Sequence, residues 1–330
     1  MTKLTERKIR PGFRDRFRDA RESLRRFFPG PLKGVDKYGL GVTQVYPEGE
    51  NFYPALELAT LERFRTLEIS AETPVASIGT CFAEEFAGFM KNAGGRYLLV
   101  EDNVFNASAN WGRVYTIPNL RQIIEYSVSD VPPVIVENEG MFLDPTREKS
   151  IGYFQTRAKA QENIAHHRAL SRQVFESAEV LVITLGQNEA WEDTENGMVW
   201  GSLPPSGLIT AQVESLRPVM FDYSTCRSQL IEAITRLREV NPGLQIILTV
   251  SPVAAYATFT SSDVITQSME GKCMLRAIAG EISRELEKIY YFPSFEMVLC
   301  RNPSTFNADN RHVRRGTVAR IFSLLNNAIR

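Results

Sequence analysis

Two distant segments of the chain carry side chains suited to covalent acyl chemistry. Cys81 follows a short apolar run that breaks at Gly79, and a helix-forming stretch begins directly after it. Near the other end of the sequence, Asp309 stands three residues before His312. An Asp-x-x-His turn can hold imidazole in one tautomer and leave its other ring nitrogen free to take a proton. A thiol with an oriented imidazole is the basis of nucleophilic catalysis.

A third segment supplies a carboxamide. The apolar run Val180–Leu185 is followed by Gly186, and Asn188 comes two residues later. If the run is a strand beside that of Cys81, the Asn188 amide lies at the same edge of the sheet and can donate to a developing oxyanion. Nucleophile, base and donor would then meet at one edge, which is stronger evidence for a site than any one of them.

Cys81 has two interpretations. Cysteine is among the residue types most often buried, so an isolated one after a strand favours a structural role. Its place at the carboxyl end of a strand and the positive end of a helix favours a reactive thiolate. Glu84 and Glu85 suit the helix dipole but would oppose a low thiol pKa if they faced the sulfur.

Alternating strands and helices must position these groups. The predicted strands are Val75–Ile78, Arg96–Val100, Val180–Leu185, Leu244–Val250, and either Ile289–Phe292 or Met297–Cys300. The predicted helices are Pro54–Phe64, Phe82–Asn92, Ile117–Tyr126, Ala158–Glu176, Cys226–Val240, Lys272–Lys288 and Arg315–Ile329. This alternation is typical of an α/β fold with a mostly parallel sheet covered on both faces. We expect about five strands in a flavodoxin-like order, with strand one central.

Two inserts interrupt the alternation. Val134–Glu137 and Met141–Asp144 flank Asn138-Glu139-Gly140, and Glu195-Asn196-Gly197 precedes Met198–Trp200. Each pattern predicts a small hairpin. Both hairpins are either walls of a substrate cleft or surface loops without a role.

Composition indicates an ordinary globular protein. Hydrophobic residues make up 43% of the 330 residues and the net charge is −1, and no apolar run approaches the roughly 20 residues that cross a bilayer. Cys81, Cys226, Cys273 and Cys300 are far apart, so we predict no metal site and reduced cysteines. With no secretory signal recognised, we expect a cytoplasmic protein with a small-molecule or glycan substrate and no nucleic-acid partner.

Residues 1–34 differ from the rest of the chain. They hold eleven Lys or Arg against four Asp or Glu, and their apolar residues recur at helical spacing. We therefore divide the chain into a basic amphipathic segment, 1–34, and a single domain, 35–330. The segment either attaches to an anionic membrane surface or polyanion, or packs on the protein's own body with its basic face in solvent.

Several motifs resemble those of one family. They are Gly79-Thr80-Cys81-Phe82-Ala83, Thr184-Leu185-Gly186 with Glu189 and Trp191, Ser251-Pro252-Val253 with Ala257-Thr258-Phe259, Lys272 with Leu275-Arg276, Tyr291-Phe292-Pro293-Ser294-Phe295-Glu296, and Asp309 with Arg311-His312. In combination, over residues 30–320, the sequence resembles the GSCFA family, a branch related to the SGNH (GDSL-like) esterases and acyltransferases.

The resemblance implies a three-layer α/β/α hydrolase-type fold. It also implies that Gly79-Thr80-Cys81 lies where relatives have Gly-Asp-Ser, and that Gly186-x-Asn188 and Asp309-x-x-His312 match their Gly-x-Asn and Asp-x-x-His. Thr80 departs from the family pattern, which has serine there. The departure favours Cys81 as the nucleophile and Thr80 as the helix N-cap, next to the substrate.

The same resemblance implies further site residues. Relatives draw an oxyanion donor from a loop after strand two, and Asn103–Gly112 is the only such loop, so Gly112 or Asn106 joins the Cys81 amide and Asn188 as candidate donors. Ser251, Asn106 and Trp191 are candidate substrate-binding residues. Lys272, Arg276 and Glu296 belong to family motifs without a role that we can derive.

The resulting hypothesis is acyl transfer through a thioester on Cys81. Water as acceptor would give a carbohydrate esterase, and a glycan hydroxyl would give an O-acyltransferase of polysaccharide biosynthesis. We expect no cofactor, with acyl-CoA as a candidate donor substrate. The alternative is a catalytically silent carbohydrate-binding or assembly module that keeps the fold.

Overall fold

The computed structural model describes Arg18 and residues 42–47, 51–101, 105, 107–300 and 305–329. Its strands are β1 Val75–Gly79, β2 Val136–Asn138, β3 Met141–Leu143, β4 Tyr153–Phe154, β5 Val180–Leu185, β6 Glu189–Asp193, β7 Met198–Val199, β8 Leu216–Met220, β9 Gln245–Val250 and β10 Ile289–Tyr291. Its α-helices are α1 Phe52–Arg63, α2 Cys81–Asn92, α3 Ile117–Val128, α4 Arg157–Ser177, α5 Ser206–Thr210, α6 Tyr223–Val240, α7 Val264–Glu285, α8 Ser294–Leu299 and α9 Arg315–Ile329. The helix predicted within residues 1–34 lies outside the described residues, apart from Arg18, and so does Asn106.

The central sheet is parallel and has the order β1-β5-β9-β10. Every residue of β1, β5 and β9 is buried, as expected for strands covered on both faces. Gly79 at the end of β1 lies opposite Thr184 of β5, which lies opposite Thr249 of β9. The carboxyl ends of these strands therefore form one continuous edge.

The side chains of the sheet alternate between two hydrophobic cores. Ile78, Ile183 and Leu248 belong to one core, which the sheet shares with α3, α4, α6 and α7. Val182 and Ile247 belong to the other, which the sheet shares with α1, α2, α8 and α9. Because successive strand residues face opposite sides, this partition demonstrates the predicted three-layer α/β/α arrangement.

The predicted second strand is reduced to a single bridge. Tyr97 pairs with Val75 in the parallel sense, and the Val75 and Leu98 amides donate to Arg96 and Val75 carbonyls at 2.9 and 2.8 Å. Strand one therefore has a neighbour on each side, as a flavodoxin-like order requires, but the described sheet has four full strands rather than five. Of the two candidates for the last strand, Ile289–Phe292 is correct, whereas Met297–Cys300 overlaps α8.

Both predicted hairpins form. The first joins β2 to β3 through a turn in which Glu139 and Gly140 have positive φ, and β4 extends it to three strands. The second joins β6 to β7, and β8 pairs with the other side of β6. The sequence did not predict the pairing of β6 with β8. Because of this pairing, the start of β6 belongs to a separate antiparallel sheet and not to the edge of the central sheet.

The long helix before β10 starts earlier than the sequence pattern indicates. It begins at Val264 rather than Lys272, because the Asp263 carboxylate caps it by accepting from the Ile265 and Thr266 amides at 3.1 and 2.9 Å. No helix in the described part of the chain is both long and apolar enough to cross a membrane.

Candidate active site

The turn between β1 and α2 fixes the position of Cys81. Gly79 has φ of +136°, and a side chain there would collide with the backbone of Thr184. The Thr80 amide donates to Thr184 Oγ1 at 2.7 Å, and Thr80 Oγ1 accepts from the Phe82 amide at 3.2 Å. Thr80 is therefore the N-cap, as predicted, and Cys81 is the first residue of α2. Two strands together hold the thiol at the sheet edge.

A cavity of about 810 Å³ opens over Cys81. Its walls come from the start of α2, the chain before α3, the residues directly after β5, the loop between β9 and α7, and the loop before α9 with the first turns of that helix. Leu203 also lines it, as does Lys272 of α7. Thr80, Cys81, Ser251 and His312 all line it. In the described chain, no three His, Cys, Asp or Glu side chains converge as a metal site would require.

The predicted Asp-x-x-His turn is present at the mouth of this cavity. Asp309 Oδ2 is hydrogen-bonded to His312 Nδ1, and Asp309 Oδ1 accepts from the Arg311 and His312 amides at 3.1 Å each. The hydrogen bond from His312 is the main reason that the Asp309 pKa falls to about 2. The carboxylate thus stays ionised at neutral pH and orients the imidazole, leaving Nε2 for proton transfer.

His312 and Cys81 share the cavity without a direct bond. The His312 side chain is 54% exposed, whereas Cys81 is partly buried at the sheet edge. Among the described residues, no hydrogen bond connects the two side chains. The imidazole therefore lies at the exposed side of the cavity rather than on the thiol itself.

Electrostatics oppose a free thiolate at Cys81. Burial raises the Cys81 pKa, Arg113 and Lys272 act to lower it, and Glu84 and Glu85 act to raise it. Arg113 is itself paired with Glu84 at 3.2 Å, and the two charges act on the Cys81 pKa in opposite directions. Both glutamates thus act against ionisation of the thiol.

Lys272 is a site residue to which sequence reasoning gave no role. It lies in α7 and is only 5% exposed, and its ammonium donates to the Gly186 carbonyl. Burial lowers its pKa to about 7, and Cys81 acts in the opposite direction. The sequence signal was a lysine on the apolar face of a helix, in register with the buried Leu275, Ala279 and Ile282.

The structure does not bring Asn188 to the Cys81 cavity. The side-chain Nδ2 of Asn188 donates to the Phe221 carbonyl at 3.2 Å, and the backbone carbonyl of Asn188 accepts from the Phe221 amide at 2.8 Å. The side-chain Oδ1 lies against Gly271, so a side chain at that glycine would collide with it. Asn188 lines a separate small cavity. The predicted oxyanion donor instead fixes the pairing of β6 with β8, because that antiparallel insert draws it away from the sheet edge.

Gly112 is also displaced from the thiol. It is buried with φ of +73°, and a side chain there would contact Glu148 and Ile151. Arg113 and Tyr115 line the cavity in its place. The residues directly after the predicted loop thus line the cavity with a guanidinium and a phenol, whereas Gly112 does not line it.

One predicted oxyanion donor, the Cys81 amide, has no hydrogen-bond acceptor among the described residues. This amide is the first of α2, where no helical carbonyl is available. By contrast, the Gly186 and Gln187 amides both donate to the Tyr115 carbonyl, at 3.1 and 2.8 Å. The Cys81 amide can therefore receive an oxyanion without breaking an existing bond.

Apart from Thr80, the predicted substrate-binding residues in the described part of the chain are Ser251 and Trp191. Of these two, Ser251 lines the cavity. Ser251 directly follows β9, is buried, and lines the cavity floor. Trp191 does not line it but packs edge-on against Phe259, with ring centroids 5.2 Å apart. Phe259 is a lining residue, so Trp191 supports the wall rather than forming it.

Glu189 holds the loop between β9 and α7 in place. Its carboxylate accepts hydrogen bonds from Thr258 Oγ1 at 2.7 Å, the Phe259 amide at 2.7 Å and Gln267 Nε2 at 2.6 Å. It therefore ties β6 to this loop and to α7. The loop bears two aromatic side chains on the cavity rim, Phe259 at 48% and Tyr256 at 83% exposure.

Arg276 and Glu296 lie outside the Cys81 cavity. Arg276 stacks on the Tyr291 ring at 3.9 Å and forms an ion pair with Glu296, and the Tyr291 hydroxyl donates to Glu296 at 2.7 Å. This cluster joins α7 to β10 and α8, so its role is structural support on the side of the sheet away from β1.

Comparison with protein-family models gives a match to the GSCFA family over residues 74–324. The match begins just before β1 and ends within α9, so it contains the central sheet and all of the cavity segments. A comparison with curated proteins gives no significant match.

Proposed function

The chain belongs to the GSCFA family, and we propose that it catalyses acyl transfer through a thioester on Cys81. The observation that carries this proposal is the shared cavity of about 810 Å³, with Cys81 at its base and a carboxylate-oriented His312 at its mouth. A thiol and an oriented imidazole that line one space of this size support a nucleophile and an acid–base group acting on a common substrate.

The proposed reaction has two steps. The Cys81 thiol gives up its proton, the thiolate attacks the acyl carbonyl, and the donor's alcohol or thiol leaves with that proton as the thioester forms. His312, oriented by Asp309, then removes a proton from the acceptor, which attacks the thioester. The sulfur leaves as a thiolate and regains the proton that His312 releases, so that both groups return to their starting states. The Cys81 amide donates to the oxyanion in both steps, and the positive charge of Arg113 adds to its stabilisation.

The walls of the cavity favour a glycan as acceptor. Tyr256 and Phe259 are exposed on its rim, and aromatic faces with nearby polar groups suit sugar rings, which have one apolar side. A glycan hydroxyl would make the protein an O-acyltransferase, and water would make it a carbohydrate esterase. Acyl-CoA is the donor that we propose for the transfer.

The rim also favours a second candidate function. The Arg311 guanidinium lies 5.2 Å from the centroid of the Tyr256 ring, and a cationic aromatic rim of this kind is suited to holding a saccharide without reacting with it. A catalytically silent carbohydrate-binding module would keep this rim and have no use for the thiol.

Mass spectrometry of the intact protein tests the proposal. The protein is incubated with an activated acetyl ester and, separately, with acetyl-CoA, and the mass of one acetyl group is sought. We expect an adduct with at least one donor in wild-type protein, and none in Cys81→Ala. Folded protein with a reduced thiol that gains no adduct from either donor would exclude the covalent mechanism and favour the binding module.

The fate of the adduct distinguishes transferase from esterase. Protein freed of excess donor is divided between buffer alone and buffer with oligosaccharides. Loss of the acetyl group only when sugar is present indicates transfer, and loss at the same rate in both indicates hydrolysis. His312→Ala should form the adduct and discharge it more slowly.

We also propose a cytoplasmic location, with peripheral attachment through residues 1–34. The support is the excess of basic residues in this segment. Sedimentation with anionic vesicles, before and after removal of residues 1–30, tests it. Attachment predicts that the shortened protein stays in the supernatant while the full chain pellets, and equal behaviour would exclude this role.

A further inference from the structure

Lys272 is a buried cation without a carboxylate partner. Its side chain is 5% exposed, its ammonium donates to the Gly186 carbonyl, and among the described residues no acidic side chain forms an ion pair with it. Removing a charge from water is expensive unless another charge or a set of hydrogen bonds compensates. One carbonyl is incomplete compensation for an ammonium with three donors.

The backbone places this ammonium beside the turn that carries Cys81. Gly186 packs so closely on Thr80 that a side-chain carbon on the glycine would lie 2.6 Å from Thr80 Cγ2. The carbonyl that Lys272 holds is therefore on the residue in contact with the N-cap of α2. Lys272 and Cys81 line the same cavity, and the Cys81 thiol is the acidic group coupled to the Lys272 amine.

We propose that Lys272 is the proton partner of Cys81: its neutral amine accepts the thiol proton, and the ammonium so formed stays beside the thiolate. The sulfur–hydrogen bond breaks, a nitrogen–hydrogen bond forms, and the net charge of the pair does not change. The step converts two neutral groups into an ion pair, and the attraction between the adjacent thiolate and ammonium offsets part of the cost of burying the two charges. The proposal rests on the proposed acyl transfer for its role in turnover, but the acidity of the thiol can be measured without it.

Other groups around the thiol are less suited to this task. The other charged or titratable residues facing the cavity are Glu84, Glu85, Arg113, Tyr115, Arg311, His312 and Tyr256, which lies exposed on the rim. Glu189 lines the small cavity on the other side of Lys272. Arginine stays protonated and cannot accept a proton. Both glutamates raise the Cys81 pKa, and the Tyr115 pKa is itself raised by burial. His312 is half exposed and makes no bond to the thiol.

This assignment separates the two proton transfers of the reaction. Lys272, at the base of the cavity, serves the nucleophile. His312, at the mouth, serves the acceptor. The electrostatics of the pair agree with this assignment, because burial lowers the Lys272 pKa to about 7 even though the Cys81 thiolate acts to raise it.

The pH dependence of Cys81 alkylation tests the proposal. The protein is treated with iodoacetamide over a range of pH, and the rate at Cys81 is followed by peptide mass spectrometry, which separates it from Cys273 and Cys300. In Lys272→Met we expect the midpoint of the profile to rise by at least about 1 pH unit, within the roughly 1–3 units that a neighbouring opposite charge gives. The rate near neutral pH falls by about tenfold for each unit.

Two further variants separate this role from simple structural support. Lys272→Arg keeps the charge but cannot accept a proton, so we expect it to lower the alkylation midpoint relative to Lys272→Met and yet to form the acyl adduct more slowly than the wild type. Lys159→Met, which removes an exposed lysine of α4, should leave the profile unchanged. A profile in folded Lys272→Met that coincides with the wild-type profile would overturn the proposal, whether or not an acyl adduct forms on Cys81.

A reciprocal measurement covers the case in which Lys272→Met does not fold. The pH dependence of Lys272 labelling by an amine reagent is measured in the wild type and in Cys81→Ala, a small substitution at a partly exposed position. Loss of the thiolate should lower the midpoint of Lys272 labelling. An equal midpoint in both proteins would show that the two groups do not share a proton and would overturn the proposal.

Discussion

Burial shifts the pKa values of Cys81 and Lys272 in opposite directions. Burial raises the pKa of the thiol and lowers that of the ammonium, because in both cases it disfavours the charged form. Each group, when charged, offsets this effect on the other. Two groups whose charged forms are each disfavoured by burial can therefore stabilise each other's charge at the base of the cavity.

Lys272 should make folding stability depend on pH. Between pH 7 and its ordinary value of 10.5, the lysine is protonated when unfolded and largely neutral when folded. The unfolded state then binds more protons, so the free energy of unfolding rises with pH across this window. At and below pH 7, the folded state bears the full free-energy cost of burying the charged lysine.

Lys272→Met removes that dependence. We expect the variant to gain stability over the wild type near pH 7, and the gain to shrink by on the order of 1.4 kcal/mol per pH unit as the pH rises toward 9. Urea unfolding at both pH values measures it, with Lys159→Met as the control. A difference between variant and wild type that is the same at both pH values would show that Lys272 stays protonated in the folded state.

Asp309→Asn should impair turnover without loss of stability. The carboxylate is exposed and serves to orient His312, so we expect turnover to fall on the order of 10²-fold with an unchanged unfolding midpoint. Since the Asp309 pKa is about 2, its protonation cannot cause a loss of activity at pH 5. Acyl-transfer rates with either donor measure the effect, and wild-type rates in the variant would remove Asp309 from the mechanism.

The β1–α2 turn tolerates one residue type at its centre. Gly79→Ala places a methyl group against the Thr184 backbone at φ of +136°, and we expect a loss of more than about 3 kcal/mol of stability or a failure to fold. Gly88→Ala, inside α2 with open space around it, should be stabilised by about 0.5–1 kcal/mol. Thermal unfolding of both variants gives the comparison, and similar midpoints would contradict this account of the turn.

The loop between β9 and α7 should depend on Glu189. Glu189→Gln leaves an amide where three donors now meet a carboxylate, and we expect a loss of about 1–3 kcal/mol and faster proteolysis within residues 252–262. Glu239→Gln, which disturbs an exposed ion pair in α6, should change stability by less than about 1 kcal/mol. Equal proteolysis of the two variants would show that the loop is held by other contacts.

The elements that the sequence predicted best are those whose pattern reflects burial. β1, β5 and β9 are continuous apolar runs because both of their faces are covered. The start of α2 was predicted from the N-cap residue Thr80. The start of α7 was missed because Val264–Gly271 lacks an apolar stripe and is set by the Asp263 cap. The pairing of β8 with β6 was missed because it joins residues far apart in the chain.

At the scale of the whole molecule, one topological rule explains both the successes and the errors at the site. Cys81 and Ser251 share a cavity because the carboxyl ends of the parallel strands β1 and β9 lie at one edge, and the loop before α9 brings His312 to the same cavity. Asn188 was assigned to that edge by the same rule, but it is the residue at which the chain leaves the sheet for an antiparallel insert. Lys272 lies in the helix α7, so a rule based on the ends of strands could not predict its presence at the site.

The most direct test of the account is to map the acyl group among the four cysteines. Wild-type protein, Cys81→Ala and a Cys273→Ala/Cys300→Ala double variant are treated with the donor that gives an adduct, digested and analysed by mass spectrometry. We expect the acetyl group on the Cys81 peptide in the wild type and the double variant, and its absence in Cys81→Ala. An acetyl group found only on Cys273 or Cys300, or retained in Cys81→Ala, would contradict a thioester at the β1–α2 turn.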